Sequence, residues 1–167
     1  PTYTSVTNLV EAVPVFYDLT SEHNWEPNFK QLEQQDLSNV KLMWVNYPHM
    51  PTGAKATENL FKKLIAFGKK HQLLIINDNP YSFVLNNNPL SILSIDGAKE
   101  TAIELNSLSK SFNMAGWRVG MLLGATPILE EVLKVKTQMD SGMFYGIQQG
   151  AIAALKVSSG WFENMNE

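Results

Sequence analysis

Cysteine is missing from all 167 residues, which excludes a disulfide framework and a thiolate metal site and leaves the chain compatible with a reducing compartment. The cytoplasm is the default location. Arginine occurs once, at Arg118. Histidine occurs at His23, His49 and His71, with no second histidine at metal-ligand spacing, so no metal site is expected. Charge of one sign never accumulates: the formal net charge is -3 without long runs, and neither nucleic acid nor an acidic membrane surface is expected as partner. Apolar runs such as residues 73–76 are far too short to span a bilayer, and no basic-then-apolar opening suggests a signal peptide. Internal repeats and low-complexity segments are lacking too. There is no initiator methionine at Pro1, and the polar-aromatic residues 161–167 carry no stop signal, so the chain is expected to be a piece of a longer protein.

What is present suits one domain with a respectable core, 44% of the residues being hydrophobic. Short apolar runs read as strands at 13–19, 40–46, 73–78, 102–108 and 119–124. Helical patterns alternate with them, at 3–12, 29–35, 57–70, 144–157 and from Thr126 onward. In the 57–70 helix, Leu60, Phe61, Leu64, Ile65 and Phe67 make one apolar face, Thr57 is the expected N-cap, and Lys69 and Lys70 suit the negative end of the dipole. Thr126 is the expected cap of the next helix, with Pro127 as its first helical residue. This alternation predicts an α/β fold with a mostly parallel sheet flanked by helices. In such sheets ligands bind beyond the carboxyl ends of the strands.

Those strand exits carry the chemistry. Arg118 lies eight residues after Lys110 in a segment of small and hydroxyl residues. A guanidinium grips a phosphate in a bidentate way, and Ser107 and Ser109 add hydroxyl donors; the plainer reading is a surface arginine and two turn serines. Lys110 follows an apolar strand, and a lysine in a cationic or desolvated site attacks carbonyls to form imines, although most lysines are simply solvated. Asp78 ends the run 73–77, and Tyr81 follows three residues later. A carboxylate against a pyridine nitrogen keeps it protonated, and a phenol bonds a ring hydroxyl; equally, residues 77–80 have turn composition. Pro51-Thr52-Gly53 fits a tight turn.

Together these exits resemble the class I and II aminotransferases, within the fold type I pyridoxal-phosphate enzymes. The segment Ser107-Leu108-Ser109-Lys110-Ser111-Phe112-Asn113-Met114-Ala115-Gly116-Trp117-Arg118-Val119-Gly120 resembles the family's lysine signature, and Asp78-Asn79-Pro80-Tyr81 its aspartate and tyrosine pair. The resemblance implies a large, cofactor-binding domain truncated at both ends and spanning residues 1–167, the small domain and N-terminal segment being absent. It also implies pyridoxal 5'-phosphate as cofactor, Lys110 as the imine-forming lysine, Asp78 at the pyridine nitrogen, Tyr81 at the ring hydroxyl, and Ser107, Ser109 and Arg118 at the phosphate. Asn46-Tyr47-Pro48-His49-Met50-Pro51-Thr52-Gly53 resembles the family's Asn-Pro-x-Asn-Pro-Thr-Gly turn, with Asn46 as its first asparagine and a further cofactor-site candidate. Met50 stands where the second asparagine bonds the ring hydroxyl; a thioether cannot donate that bond, which leaves it to Tyr81. Pro1-Thr2-Tyr3 resembles the end of a proline and aromatic-rich segment of the large domain.

The implied activity is amino-group transfer between an amino acid and a 2-oxo acid by a parent enzyme, expected to be a homodimer, with the isolated fragment inactive. By the same resemblance, absent segments would supply a phosphate cradle, a ring-stacking aromatic and a substrate-binding arginine. Alternatives are a pyridoxal-phosphate lyase or synthase on the same fold, or an aminotransferase-like sensor domain of a transcription regulator.

Overall fold

The computed structural model describes residues 2–167; Pro1, the first residue of the Pro1-Thr2-Tyr3 segment, lies outside them. The fold is organised by helix α3 (Glu58–His71), whose ends are both set locally. Thr57 accepts the Leu60 N–H at 3.0 Å, and Gln72 leaves the helix in the left-handed region (φ 56). The apolar face of α3 buries Leu60, Phe61, Leu64, Ile65 and Phe67. They pack with Met43 and Val45 of β1 (Leu42–Val45) and Ile75 of β2 (Leu74–Asn79). Fully burying such side chains contributes about 1.5–3 kcal/mol each, which makes this interface the main core.

Strands β3 (Ala102–Ser107) and β4 (Gly120–Leu123) complete a mixed sheet in the order β1-β2-β3-β4. β1, β2 and β3 run parallel, while β4 returns antiparallel along β3. The expected mostly parallel sheet flanked by helices is therefore present. The other helices are α1 (Thr2–Leu9), α2 (Phe29–Leu32), α4 (Leu108–Ser111), α5 (Thr126–Met139), α6 (Tyr145–Ala154) and α7 (Ser159–Asn166). A second, smaller cluster gathers Leu108, Met114 and Val119 beneath Ile147, Ala151 and Ala154 of α6. No helix among the described residues is long and apolar enough to cross a membrane.

Several elements differ from the sequence reading. Residues 13–19 form no strand: Val13, Val15 and Phe16 are exposed, while half-buried Tyr17 packs on the core and donates its hydroxyl to the Trp44 carbonyl at 2.6 Å. An apolar run becomes a strand only where a neighbour offers a hydrogen-bond ladder, and none does here among the described residues. Thr126 is the first residue of α5 rather than its cap; Ala125 takes that place and supplies no side-chain bond. The 102–108 strand stops at Ser107, because the Ser107 hydroxyl accepts the Ser109 N–H at 3.1 Å and starts α4. Helix 144–157 is shorter than expected, and α7 follows it.

Gly68 sits where α3 meets the sheet. A Cβ there would come within 2.6 Å of Thr101 Cγ2, 2.9 Å of Ile75 Cγ1 and 3.0 Å of the Leu73 carbonyl oxygen. Gly68→Val is expected to destabilise the fold by roughly 2 kcal/mol or more through overpacking, measured as a lower urea midpoint; an unchanged midpoint contradicts this packing.

Candidate active site

The sheet register brings the sequence-predicted residues to one edge. Asp78 is the penultimate residue of β2, paired with Leu105 of β3, so its side chain emerges near the carboxyl end of the parallel strands. Asn46 follows β1 directly. Ser107 ends β3, and Ser109 and Lys110 lie in α4, one turn on. Because β4 is antiparallel, its first residue Gly120 pairs with Ser107, which returns Arg118 to the same edge. The Leu108 N–H donates to the Val119 carbonyl at 3.1 Å, securing the residue next to Arg118. Gly120 permits this approach: a Cβ would lie 2.9 Å from the Asn106 carbonyl oxygen.

The side chains differ in how they are held. Lys110 is exposed, while Asp78, Tyr81, Ser107 and Ser109 are half-buried. Arg118 is exposed and in the left-handed region (φ 56), and its Nη1 donates to the Ala115 carbonyl at 2.9 Å. That bond orients the guanidinium, and among the described residues its other donors have no partner. Asn46 is committed at both ends of its amide: Nδ2 donates to the Asp78 carbonyl oxygen at 2.5 Å, and Oδ1 accepts the Met50 N–H at 2.9 Å. It bridges two strand exits through their backbones. The turn beyond it closes through Gly53 N–H to the His49 carbonyl at 2.7 Å, with Gly53 at φ 74, and His49 Nδ1 contacts Thr52 Oγ1 at 2.7 Å. Partial burial lowers the His49 pKa below the ordinary imidazole value.

Two residues at this edge lie in segments that carry a family resemblance, but the motifs assign them no role. Ser111, 3% exposed, donates its hydroxyl to the Pro80 carbonyl at 3.0 Å, tying the turn of Lys110 to the loop of Asp78 and Tyr81. Tyr3 donates its hydroxyl to Asp78 Oδ2 at 2.5 Å across 75 positions of sequence, and its ring stacks on Trp44 with centroids 4.8 Å apart. Burial and then the bond to Asp78 raise its pKa above the usual phenol value. Only an expectation that an aromatic belongs beside the carboxylate would have pointed to it.

The family model for aminotransferase class I and II matches residues 1–167. The chain belongs to the class I and II aminotransferases. It is 42% identical over 160 residues to an LL-diaminopimelate aminotransferase of Dehalococcoides mccartyi, covering 95% of this chain and 41% of that protein. Against an LL-diaminopimelate aminotransferase of Halothermothrix orenii it is 40% identical, covering 100% and 43%. Among solved structures, BacF from Bacillus subtilis superposes with a TM-score of 0.92 at 34% identity, covering 99% of this chain and 42% of that one. A probable N-succinyldiaminopimelate aminotransferase from Thermus thermophilus gives 0.92 at 30%, covering 99% and 45%. This member of the family thus spans about two fifths of the length of these relatives.

With Asn46 clamping two backbones at this edge, Asn46→Ala removes both bonds. It is expected to destabilise the fold by about 1–3 kcal/mol, read from denaturant unfolding; a loss within error shows that the two exits hold without it.

Proposed function

We propose that this chain is the cofactor-binding part of a larger enzyme that uses pyridoxal 5'-phosphate to transfer an amino group between an amino acid and a 2-oxo acid. The observation that carries the reading is the sheet register, which sets Asp78, Ser107 and, through antiparallel β4, Arg118 at one edge with Lys110 one turn beyond. The donor set there fits the cofactor chemically. It comprises a primary amine, a carboxylate, a phenol, two hydroxyls and a guanidinium with one nitrogen engaged.

When bound, the cofactor supplies an aldehyde for amines to condense with and a ring that accepts electrons. Lys110 would present the amine that anchors the cofactor and, when its amine is free, would serve as the group that takes and returns a proton. Asp78 would present its carboxylate to the ring nitrogen and keep a proton there. Tyr81 would donate to the ring oxygen. Ser107, Ser109 and Arg118 would hold the phosphate, Arg118 through charge-assisted bonds. Asn46 acts here through position, since its amide already binds the Asp78 carbonyl and the Met50 N–H. A cytoplasmic, homodimeric parent belongs to the same reading, which draws on the family resemblance and on the apolar side chains that α5 and α6 expose, such as Leu133, Val135 and Ile152.

Two variants of the full-length enzyme test this. Lys110→Ala is expected to abolish both turnover and the absorbance band of lysine-bound cofactor, and retained activity refutes the assignment. Arg118→Ala is expected to weaken cofactor binding roughly 10- to 100-fold, the worth of a charged hydrogen bond, by equilibrium titration; unaltered affinity removes Arg118 from the site. The amino-acid panel begins with LL-diaminopimelate, which the names of both relatives specify. Product release without an oxo-acid acceptor would mark a lyase instead.

A further inference from the structure

The opposite face of the sheet carries a buried cluster that the proposed chemistry does not use. Successive strand residues alternate faces, so Asn77 and Asn79 point away from Asp78. Glu104 pairs with Asn77 in the register, and Asn106 with Asn79. Glu104 is 2% exposed and has no ion-pair partner among the described residues. Its Oε2 accepts from Asn77 Nδ2 at 3.1 Å and from the Ile92 N–H at 3.0 Å. Its Oε1 accepts from Asn106 Nδ2 at 2.9 Å. Asn77 carries the connection onward, with Oδ1 accepting the Tyr47 N–H at 3.1 Å and Nδ2 also reaching the Tyr47 carbonyl oxygen at 3.3 Å.

Apart from Ile92, the residues joined in this way each stand one position from a candidate site residue. Tyr47 follows Asn46, Asn77 precedes Asp78, and Asn106 precedes Ser107. A hydrophobic cluster would hold three strands together at least as well, because burying a carboxylate carries a desolvation penalty of several kcal/mol. What apolar contacts lack is direction. The bonds that Glu104 makes to Asn77 and Asn106 fix the relative height of those strands, and a productive site tolerates displacements of only about 0.5 Å; Asn79 beside them stays outside the network, its buried amide without a partner among the described residues.

We propose that Glu104, acting through Asn77 and Asn106, is a positioning residue that aligns the three strand exits bearing Asn46, Asp78 and Ser107 for the cofactor. The inference rests on the cofactor role assigned above to that edge. Glu104 touches no reacting atom; it acts through its neighbours.

The test uses the full-length enzyme and pyridoxal 5'-phosphate. Glu104→Gln keeps the shape and the acceptor for Asn77 and Ile92 but turns an amide N–H towards the Asn106 donor. Cofactor dissociation should rise about tenfold, as losing one bond to a charged acceptor predicts. The bound-cofactor absorbance should change and kcat should fall more than KM moves, all measured well below the melting temperature. Adding Asn106→Asp moves the carboxylate across the same contact, and the double variant should recover most of the affinity and spectrum. Glu104→Leu removes every acceptor and should weaken binding further if it folds. A purely structural role would lower the melting temperature and leave affinity, spectrum and the kcat-to-KM split as they were. That outcome for Glu104→Gln, or a failure of the double variant to recover, overturns the proposal. Lys110→Ala run alongside separates the two levels: if it abolishes the absorbance band while Glu104→Gln changes nothing, the positioning role alone is lost, and if it keeps the band, the cofactor reading fails and this inference with it.

Discussion

Parallel pairing of β2 with β3, running from Ile75↔Ala102 to Asn79↔Asn106, decides which side chains can meet at the edge of this sheet. A slip of one residue would send Asp78 to the core face and Asn77 to the edge, since neighbouring strand residues point in opposite directions. The slip is opposed twice on the core side: apolar residues such as Ile75 and Ala102 fill the space under α3, and Asn77 bonds Glu104. Apolar packing supplies most of the free energy and little of the direction. The buried polar contacts supply direction at a desolvation cost that packing offsets.

The two faces of β2 and β3 therefore divide the labour within a few ångströms. One face buries Asn77, Asn79 and Glu104; the other presents Asp78 to Tyr3. The backbone couples them, because residues adjacent in sequence cannot move independently. Asn46 and Ser111 add cross-links at the edge, each bonding the backbone of the 78–81 segment. A ligand gripped by groups from several exits depends on their mutual spacing more than on any one of them.

How much of this was legible in the sequence depended on whether the cause was local. Helix α3 was legible because its cap, its apolar period and its charged last turn lie within the 57–71 segment. The exits at Asp78, Ser107, Lys110 and Arg118 were legible because short motifs place them after apolar runs. Residues 13–19 were misread, since composition reports that a segment is apolar and not whether a partner strand is available. Thr126 was misplaced by one position, an ordinary consequence of a helix start that Pro127 suits on either side. Tyr3 and Glu104 escaped because their partners lie far away in sequence or on a face that only the register defines.

By itself, then, the sequence determined the local matter: which stretches are apolar, where α3 starts and stops, and which reactive side chains follow the strands. It also held the motifs that place the chain in its family. Tertiary structure alone decided that an antiparallel strand starting at Gly120 pairs with Ser107 and so returns nearby Arg118 to that edge, that Tyr3 reaches Asp78, and that a lone buried carboxylate links three strand exits. The physical reason is range. Caps and helical periodicity act within a few residues, whereas strand register is chosen by the simultaneous burial and hydrogen bonding of segments that the chain keeps far apart until it folds.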